Sequence, residues 1–259
     1  MNPQFTQAIV CPPAANFAQG LTTLDLGAPD VALAREQHAH YCRALEECGL
    51  QLTRLPPDER YPDSTFVEDA AILTRSGAIV TLPGAPSRRG EVETIRQTLA
   101  HFYTELAAIR SPGVLDGGDI CEAGDTVLIG VSARTNAEGA DQLSRWLTRQ
   151  GYTSACIDIR DTPGILHLKS GIAYLGDNRM VVIDALAEHP ALQGFEHVRV
   201  AQEEAYAANC IRVNDRVLAP AGFPRLCTAL RSLGYSVVEL EMSEFQKMDG
   251  GLSCLSLRF

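Results

Sequence analysis

A thiol, an imidazole and several carboxylates sit on short apolar segments that are far apart in this chain. Cys254 ends the run Asp249-Gly250-Gly251-Leu252-Ser253-Cys254, just before the C-terminal Phe259. His167 stands in Leu166-His167-Leu168-Lys169-Ser170, and carboxylates stand in Phe66-Val67-Glu68-Asp69 and Leu115-Asp116-Gly117-Gly118-Asp119. These residue types suit a cysteine hydrolase of a cationic substrate. A thiolate would attack, an imidazole would move protons near neutral pH, and carboxylates would hold the cation.

Each group also has a plainer reading. Cys254, between Leu252 and Leu255, fits a buried cysteine in a C-terminal strand, although Gly250-Gly251 lets the backbone approach a ligand closely. His167, between two leucines, fits a structural histidine, yet it alone of the six His residues sits at the entrance of a strand pair. Asp116 and Asp119 flank a Gly-Gly turn, and one of them could orient His167. Glu68 and Asp69 are neighbours in an apolar stretch. In a strand they face opposite sides, so one can reach a pocket while the other supports from behind. A guanidinium would satisfy such buried carboxylates by bidentate pairing. Arg88-Arg89 and Arg134 open helices, where the dipole disfavours cations; they read either as a grip for a carboxylate or as a solvated basic edge.

Four helices are expected to position these groups. Asp30 caps one that runs to Cys48 and stops at Gly49. Pro86-Ser87 opens a second from Arg88 to about Phe102, with Val92, Ile95 and Leu99 inward. The third spans Thr135 to Gln150 and the fourth Phe223 to Leu233. Strands are expected at Ala8–Val10, Phe66–Thr74, Ala78–Leu82, Asp119–Glu122, Val127–Gly130, Ser154–Ile159, Gly171–Leu175, Met180–Ile183, Cys210–Val213, Val217–Ala219, Ser236–Leu240 and Leu252–Leu257. Several pair around polar turns such as Gly176-Asp177-Asn178.

A polar residue recurs at hairpin mouths: Asp69, Asp119, His167, Asn209 and Cys254. The separations, read from the residue numbers, are 50, 48, 42 and 45. Each interval holds roughly one helix, so the pattern suggests an αβ unit repeated five times around an axis, with the polar residues converging at one end.

Bulk properties set the outer bounds. The 259 residues can bury a sizeable core, and without a linker rich in Pro, Gly or Ser, residues 1–259 read as one catalytic domain. A net charge of −10 argues against a nucleic-acid partner. No apolar run is long enough to span a bilayer, and Met1-Asn2-Pro3-Gln4-Phe5 lacks the basic start of a signal peptide. The eight cysteines form no CxxC pair, which argues against structural zinc and for reduced thiols in a cytoplasmic protein.

Together these segments resemble the dimethylarginine dimethylaminohydrolase family of the guanidine-modifying pentein superfamily. The stretches that carry the resemblance are Asp63-Ser64-Thr65-Phe66-Val67-Glu68-Asp69, Pro83-Gly84-Ala85-Pro86-Ser87-Arg88-Arg89, Leu115-Asp116-Gly117-Gly118-Asp119, Arg134-Thr135-Asn136, Leu166-His167-Leu168-Lys169-Ser170, Ala208-Asn209-Cys210-Ile211 and Asp249-Gly250-Gly251-Leu252-Ser253-Cys254. They run in the family's order over nearly the whole chain. The resemblance implies an α/β fold, a five-bladed pseudo-symmetric αβ propeller with the active site on its axis. It implies Cys254 as nucleophile, His167 as general acid and base, and Asp116 as the carboxylate that orients the His. Glu68 and Asp69 would surround the substrate guanidinium, with Asp249 beside them. Asp63, Arg88 and Arg134 would hold the amino-acid end. Leu21 would sit on a mobile lid, and Met248 would meet the substituents.

The implied reaction is hydrolysis of N-omega-methylated L-arginine through a covalent thiouronium, giving citrulline and methylamine or dimethylamine. It requires no metal or organic cofactor, and the expected partner is a small guanidino amino acid. The alternatives are a deiminase or hydrolase of arginine or another guanidino acid, and a non-catalytic binder of arginine derivatives. Arginine deiminases and amidinotransferases are usually longer, and a binder need not keep the Cys, His and Asp set. The sequence does not fix the oligomeric state; a homodimer is carried as an expectation.

Overall fold

Short strands joined by tight polar turns pair first with their immediate neighbours, and this chain supplies that combination repeatedly. The computed structural model describes residues 4–75 and 77–259. Met1, Asn2 and Pro3, read above for a leader, lie outside the described residues.

Among the described residues, five sheets of three strands result. The first contains β1 (Gln7–Val10) and β2 (Gln51–Arg54), joined through helix α1 (Val31–Glu47). The second contains β3 (Ala71–Thr74), β4 (Gly77–Val80), helix α2 (Val92–Leu99) and β5 (Leu106–Ala108). The third contains β6 (Ile120–Ala123), β7 (Thr126–Val131), helix α3 (Ala137–Arg149) and β8 (Thr153–Asp158). The fourth contains β9 (Ile172–Gly176), β10 (Arg179–Ile183) and β11 (Glu196–Val200). The fifth contains β12 (Ile211–Val213), β13 (Arg216–Pro220), helix α4 (Pro224–Ser232) and β14 (Ser236–Leu240). The short helix α5 (Ser243–Gln246) follows, and β15 (Leu257–Arg258) pairs antiparallel with β1, Ala8 opposite Arg258, to complete the first sheet.

Every sheet repeats one pattern. Two strands run antiparallel, and a crossover brings the third back parallel to the middle one. The hairpin between β9 and β10 turns at Asp177 and Asn178, whose φ values of 50° and 60° belong to the left-handed region that Asp and Asn tolerate and that a twisted hairpin requires. A cavity touches β3, β6, β9, β12 and β15, one strand from each sheet. Those five strands therefore ring a common axis, as in a five-bladed propeller.

Helix α1 starts where expected, its Asp30 Oδ1 accepting the amides of Ala32 and Leu33. It buries Ala34, Tyr41, Cys42 and Leu45, and the Tyr41 hydroxyl shares a 2.6 Å bond with Ser256 Oγ beside the closing strand. Each fully buried leucine on such a face contributes about 1.5–3 kcal/mol. Helix α3, capped by Asn136 Oδ1 on the Gly139 amide, presses Leu143, Trp146 and Leu147 onto its sheet.

Several expectations need correction. The helix expected from Arg88 is a 3₁₀ turn, Pro86–Arg88, followed by α2 from Val92. Arg88 therefore does not open an α-helix, and the argument from the helix dipole falls. Arg134 likewise precedes Asn136, the cap of α3, in a loop. The first part of the Phe66–Thr74 strand is a 3₁₀ turn, Val67–Ala70, and Cys254 lies in another, Ser253–Leu255, rather than in a strand. The connection between β10 and β11 carries a short 3₁₀ turn, Pro190–Leu192, instead of an α-helix. Strands β2, β5 and β11 were not expected.

Candidate active site

The axial strands are entered through 3₁₀ turns that stand at one end of the ring: Val67–Ala70 before β3, Gly117–Asp119 before β6, Leu168–Ser170 before β9, Gln202–Ala208 shortly before β12 and Ser253–Leu255 before β15. The mouths pack directly on one another. A Cβ on Gly117 would lie 1.9 Å from the Glu68 carbonyl oxygen, and one on Gly118 would lie 2.8 Å from His167 Cγ. Only glycine lets these turns approach so closely.

A small pocket opens where the mouths converge. It is lined by Cys254, His167, Asp69, Asp63, Arg88, Arg134, Leu21, Met248 and Asp249, together with Phe66, Leu166 and Gly250. The larger axial cavity lies behind it; the thiol and imidazole face the smaller one, which therefore is the place for chemistry.

His167 donates or shares a proton through Nε2 with Asp116 Oδ2 at 3.2 Å. Asp116 is fully buried, and its Oδ1 accepts the Gly84 amide at 2.8 Å. Burial disfavours the imidazolium, but Asp69, Asp119 and the Asp116 bond outweigh it and push His167 up to about 9. His167 is therefore charged at neutral pH, and Nδ1 is the nitrogen left for the pocket. Cys254 shifts up too. Burial, then the negative charges of Glu68 and Asp69, push its thiol up to about 12, with Lys169 opposing. In the free protein the thiol is protonated.

Asp69 holds the pocket wall. Its Oδ2 accepts Arg88 Nη1 at 2.7 Å, and its Oδ1 accepts the Gly118 amide at 2.8 Å. Burial raises it, yet His167 and Arg88 win and bring it down to about 2. Glu68, its neighbour, does not line this pocket. Successive residues of a 3₁₀ turn project about 120° apart, and Glu68 points into the axial cavity. There its Oε1 accepts Lys169 Nζ at 2.6 Å and its Oε2 accepts Ser253 Oγ at 2.8 Å. Glu68 thus braces the residue before the nucleophile from behind, rather than surrounding a ligand. Asn209 Oδ1 accepts the Ser253 amide at 2.9 Å and braces the same turn. Asp119 is also structural here. It accepts Ser132 Oγ, Thr135 Oγ1 and the Leu168 amide, which ties two blades together.

The far end of the pocket carries Asp63, Arg88 and Arg134. Asp63 accepts the Leu21 amide on both oxygens, at 3.1 and 3.2 Å. Arg134 has no ion-pair partner among the described residues and is free to meet an anion. The segment Leu21–Leu24 runs along the rim of the pocket, which Leu21 lines. Thr23 donates its amide to Asp249 Oδ2 at 2.6 Å and its hydroxyl to the same carboxylate, while Thr22 Oγ1 donates to the Lys247 carbonyl at 3.0 Å. Asp249 therefore lines the pocket with its carboxylate engaged by Thr23. Its φ of 57° is left-handed, which turns the chain sharply ahead of Cys254.

Asp69, Asp116 and His167 bring donor atoms within 4.8 Å of one another, the spacing of a cation site. Asp69 is committed to Arg88 and Gly118, however, and a protonated imidazole is no ligand. The set fits proton transfer better than metal binding.

Phe66, Leu166 and Gly250 were absent from the sequence-based site. All three fall inside the motif stretches, but nothing in residue type marks an apolar wall as part of a site.

A family model described as arginine deiminase matches residues 59–218. The chain is 47% identical to the N(G),N(G)-dimethylarginine dimethylaminohydrolase of Pseudomonas aeruginosa, with 98% of this chain and 100% of the relative covered. It is 34% identical to the enzyme of the same name from Streptomyces coelicolor, with 97% and 96% covered. A structure of the Pseudomonas aeruginosa protein, a cysteine-to-serine variant with citrulline bound, superposes with a TM-score of 0.96 at 46% identity over 99% of this chain and 100% of that one. The N-terminal domain of a cyanobacterial arginine dihydrolase has a TM-score of 0.88 at 18% identity, covers 99% and 97%, and shares the fold. This chain belongs to the arginine deiminase family and, within it, to the dimethylarginine dimethylaminohydrolases.

Proposed function

We infer that this protein is a dimethylargininase: a cysteine hydrolase of N-omega-methylated L-arginine that releases citrulline and methylamine or dimethylamine. One observation carries the reading: a buried thiol and a charged imidazole share a small pocket with acidic residues, and that pocket ends in an unpaired arginine. A guanidinium enters the acidic part beside Asp69. The α-carboxylate meets Arg134 and Arg88, and Asp63 takes the α-amino group.

The steps follow from the charges. A bound guanidinium adds positive charge beside Cys254, so its thiol loses a proton to solvent on binding. The thiolate Sγ bonds to the guanidinium carbon. His167 gives its Nδ1 proton to the methylated nitrogen as the C–N bond breaks, and the amine departs. A covalent thiouronium and a neutral His167 remain. His167 then takes a proton from water as the oxygen bonds to the same carbon. The C–S bond breaks, the oxygen's second proton leaves, and the thiol and the imidazolium are restored. Asp116 keeps Nε2 protonated throughout, so that Nδ1 alternates between donor and acceptor.

The test is citrulline release from asymmetric dimethylarginine, monomethylarginine and arginine, with Cys254→Ser as control. Release from the methylated substrates, lost in the variant, is expected. Release mainly from arginine would make the protein a deiminase. Binding of all three without turnover would make it a binder.

A further inference from the structure

Glu91 lies outside the pocket, and no step above uses it. It immediately precedes α2 and is buried, 8% exposed. Its carboxylate is directed at Arg88. Both Oε1 and Oε2 accept Arg88 Nε at 3.1 Å, and Oε2 also accepts Nη2 at 2.8 Å. Nη2 is completed by the carbonyl oxygens of Asp63 and Phe66, each at 3.3 Å. Nη1 alone reaches Asp69, at 2.7 Å. Glu91 thus takes one whole edge of the guanidinium, and only the Nη1 corner is left to serve the pocket.

A guanidinium is a planar fork, so fixing Nε and Nη2 fixes the direction of both Nη1 hydrogens. One goes to Asp69; the other remains for a ligand. Without the Glu91 edge the side chain has no other carboxylate among the described residues besides Asp69, and it would turn to pair with that group alone. The hydrogen left for the ligand would lose its aim.

We propose that Glu91 is a positioning residue that aims Arg88 at the α-carboxylate of the substrate and so sets the preference for amino acids over simple guanidines. The ion pair is not merely a way of filling space. Burying two charges together contributes little net stability, whereas the bidentate geometry orients a third group. The proposal rests on the reading of Arg88 and Arg134 as the carboxylate end of a methylarginine site.

The experiment measures binding, so that it does not depend on turnover. In a Cys254→Ser background, dissociation constants are determined by calorimetry for N-omega-methyl-L-arginine and for its decarboxylated analogue, with and without Glu91→Gln. The amide keeps the shape but one nitrogen now opposes the Arg88 donors. Weakening of the amino acid by about 10-fold or more is expected, as for a lost hydrogen bond between charged groups, with the decarboxylated analogue weakened much less. In the otherwise unaltered enzyme Glu91→Gln should raise KM and leave kcat within about threefold, whereas Glu91→Asp should recover part of the loss. Equal weakening of both ligands would mean general damage to the pocket and would overturn the proposal, as would no weakening of either. If the parent protein does not prefer the amino acid over its decarboxylated analogue, the reading of the carboxylate end fails instead.

Discussion

Replacing Asp116 with Asn should stop the reaction while leaving substrate binding nearly intact. Both carboxylate oxygens of Asp116 are used: Oδ1 by the Gly84 amide at 2.8 Å and Oδ2 by His167 Nε2 at 3.2 Å. An amide has a single acceptor, and the half-buried Gly84 N–H claims it, because leaving such a donor unmet costs on the order of 1 kcal/mol. The NH2 group then faces Nε2. His167 can accept from it only by giving up the Nε2 proton and holding one on Nδ1. Nδ1 in that neutral tautomer is a poor acid and cannot act as a base. The lost charge-assisted bond alone is worth roughly 1.5–3 kcal/mol, about 10- to 150-fold in rate. The wrong tautomer adds to this, so kcat should fall on the order of 10³-fold or more. KM should stay within about threefold, because Asp116 is not among the residues lining the pocket. The assay is initial-rate citrulline formation from dimethylarginine across pH. A fall of less than tenfold, or one expressed in KM, would refute the assignment of Asp116 to the tautomer.

Gly20→Ala should raise KM by about 10-fold or more with little change in melting temperature, because the new Cβ would lie 2.4 Å from Asp63 Oδ1 and 3.1 Å from Met248 Cε, and the rim segment could no longer seat on Asp63; an unchanged KM would show that this seating is not needed. His167 titrates in the folded protein at about 9 rather than the ordinary 6.5, so it contributes stability that is full below about pH 6.5 and is lost as pH rises through 9. The urea midpoint of the wild type should therefore fall over that window, and His167→Gln should flatten the fall; parallel curves would sink the idea. The rate of inactivation by iodoacetamide at Cys254 should still be climbing at pH 9, because the free thiol is pushed up to about 12; a plateau by pH 8 would contradict this.

Much of the fold was legible because the axial strands are short, apolar and bounded by turn residues. Of the outer strands, Ser154–Ile159 and Ser236–Leu240 were legible and three were not. Gln51–Arg54 and Leu106–Ala108 are half exposed along their length and show no alternation to mark them. What defines them is a parallel partner brought near by a crossover, which is a tertiary fact. The turns that carry Asp69 and Cys254 were read as strands because their flanks are apolar, and hydrophobic pattern does not separate a buried 3₁₀ turn from a buried strand. The same ambiguity decides the role of Glu68. A strand and a 3₁₀ turn both divide it from Asp69, but only the packing says which of the two meets the pocket. Glu91 left no signal at all, since an acidic residue before a helix is what any helix N-terminus favours.

The charges around the pocket explain why a cation should be the ligand. Asp63, Glu68, Asp69, Glu91, Asp116 and Asp119 are all buried here, with Arg88 and His167 as the buried cations and Arg134, Lys169 and Arg258 half-buried. The excess is visible in the groups themselves. Burial, aided by Asp69, raises Asp63; burial, aided by Asp63 and Asp69, pushes Glu91 up to about 7 against the pull of Arg88. Carboxylates strained in this way are relieved by any added positive charge, and a neutral ligand offers none. The thiol answers first to burial and then to the same field: burial, with Glu68 and Asp69 adding to it, keeps it protonated until a cation arrives. The acidic surplus therefore selects the substrate and delays formation of the nucleophile until the substrate is in place. A site with fewer carboxylates would ionise its thiol more readily in the free protein, but it would lose both the preference and the delay.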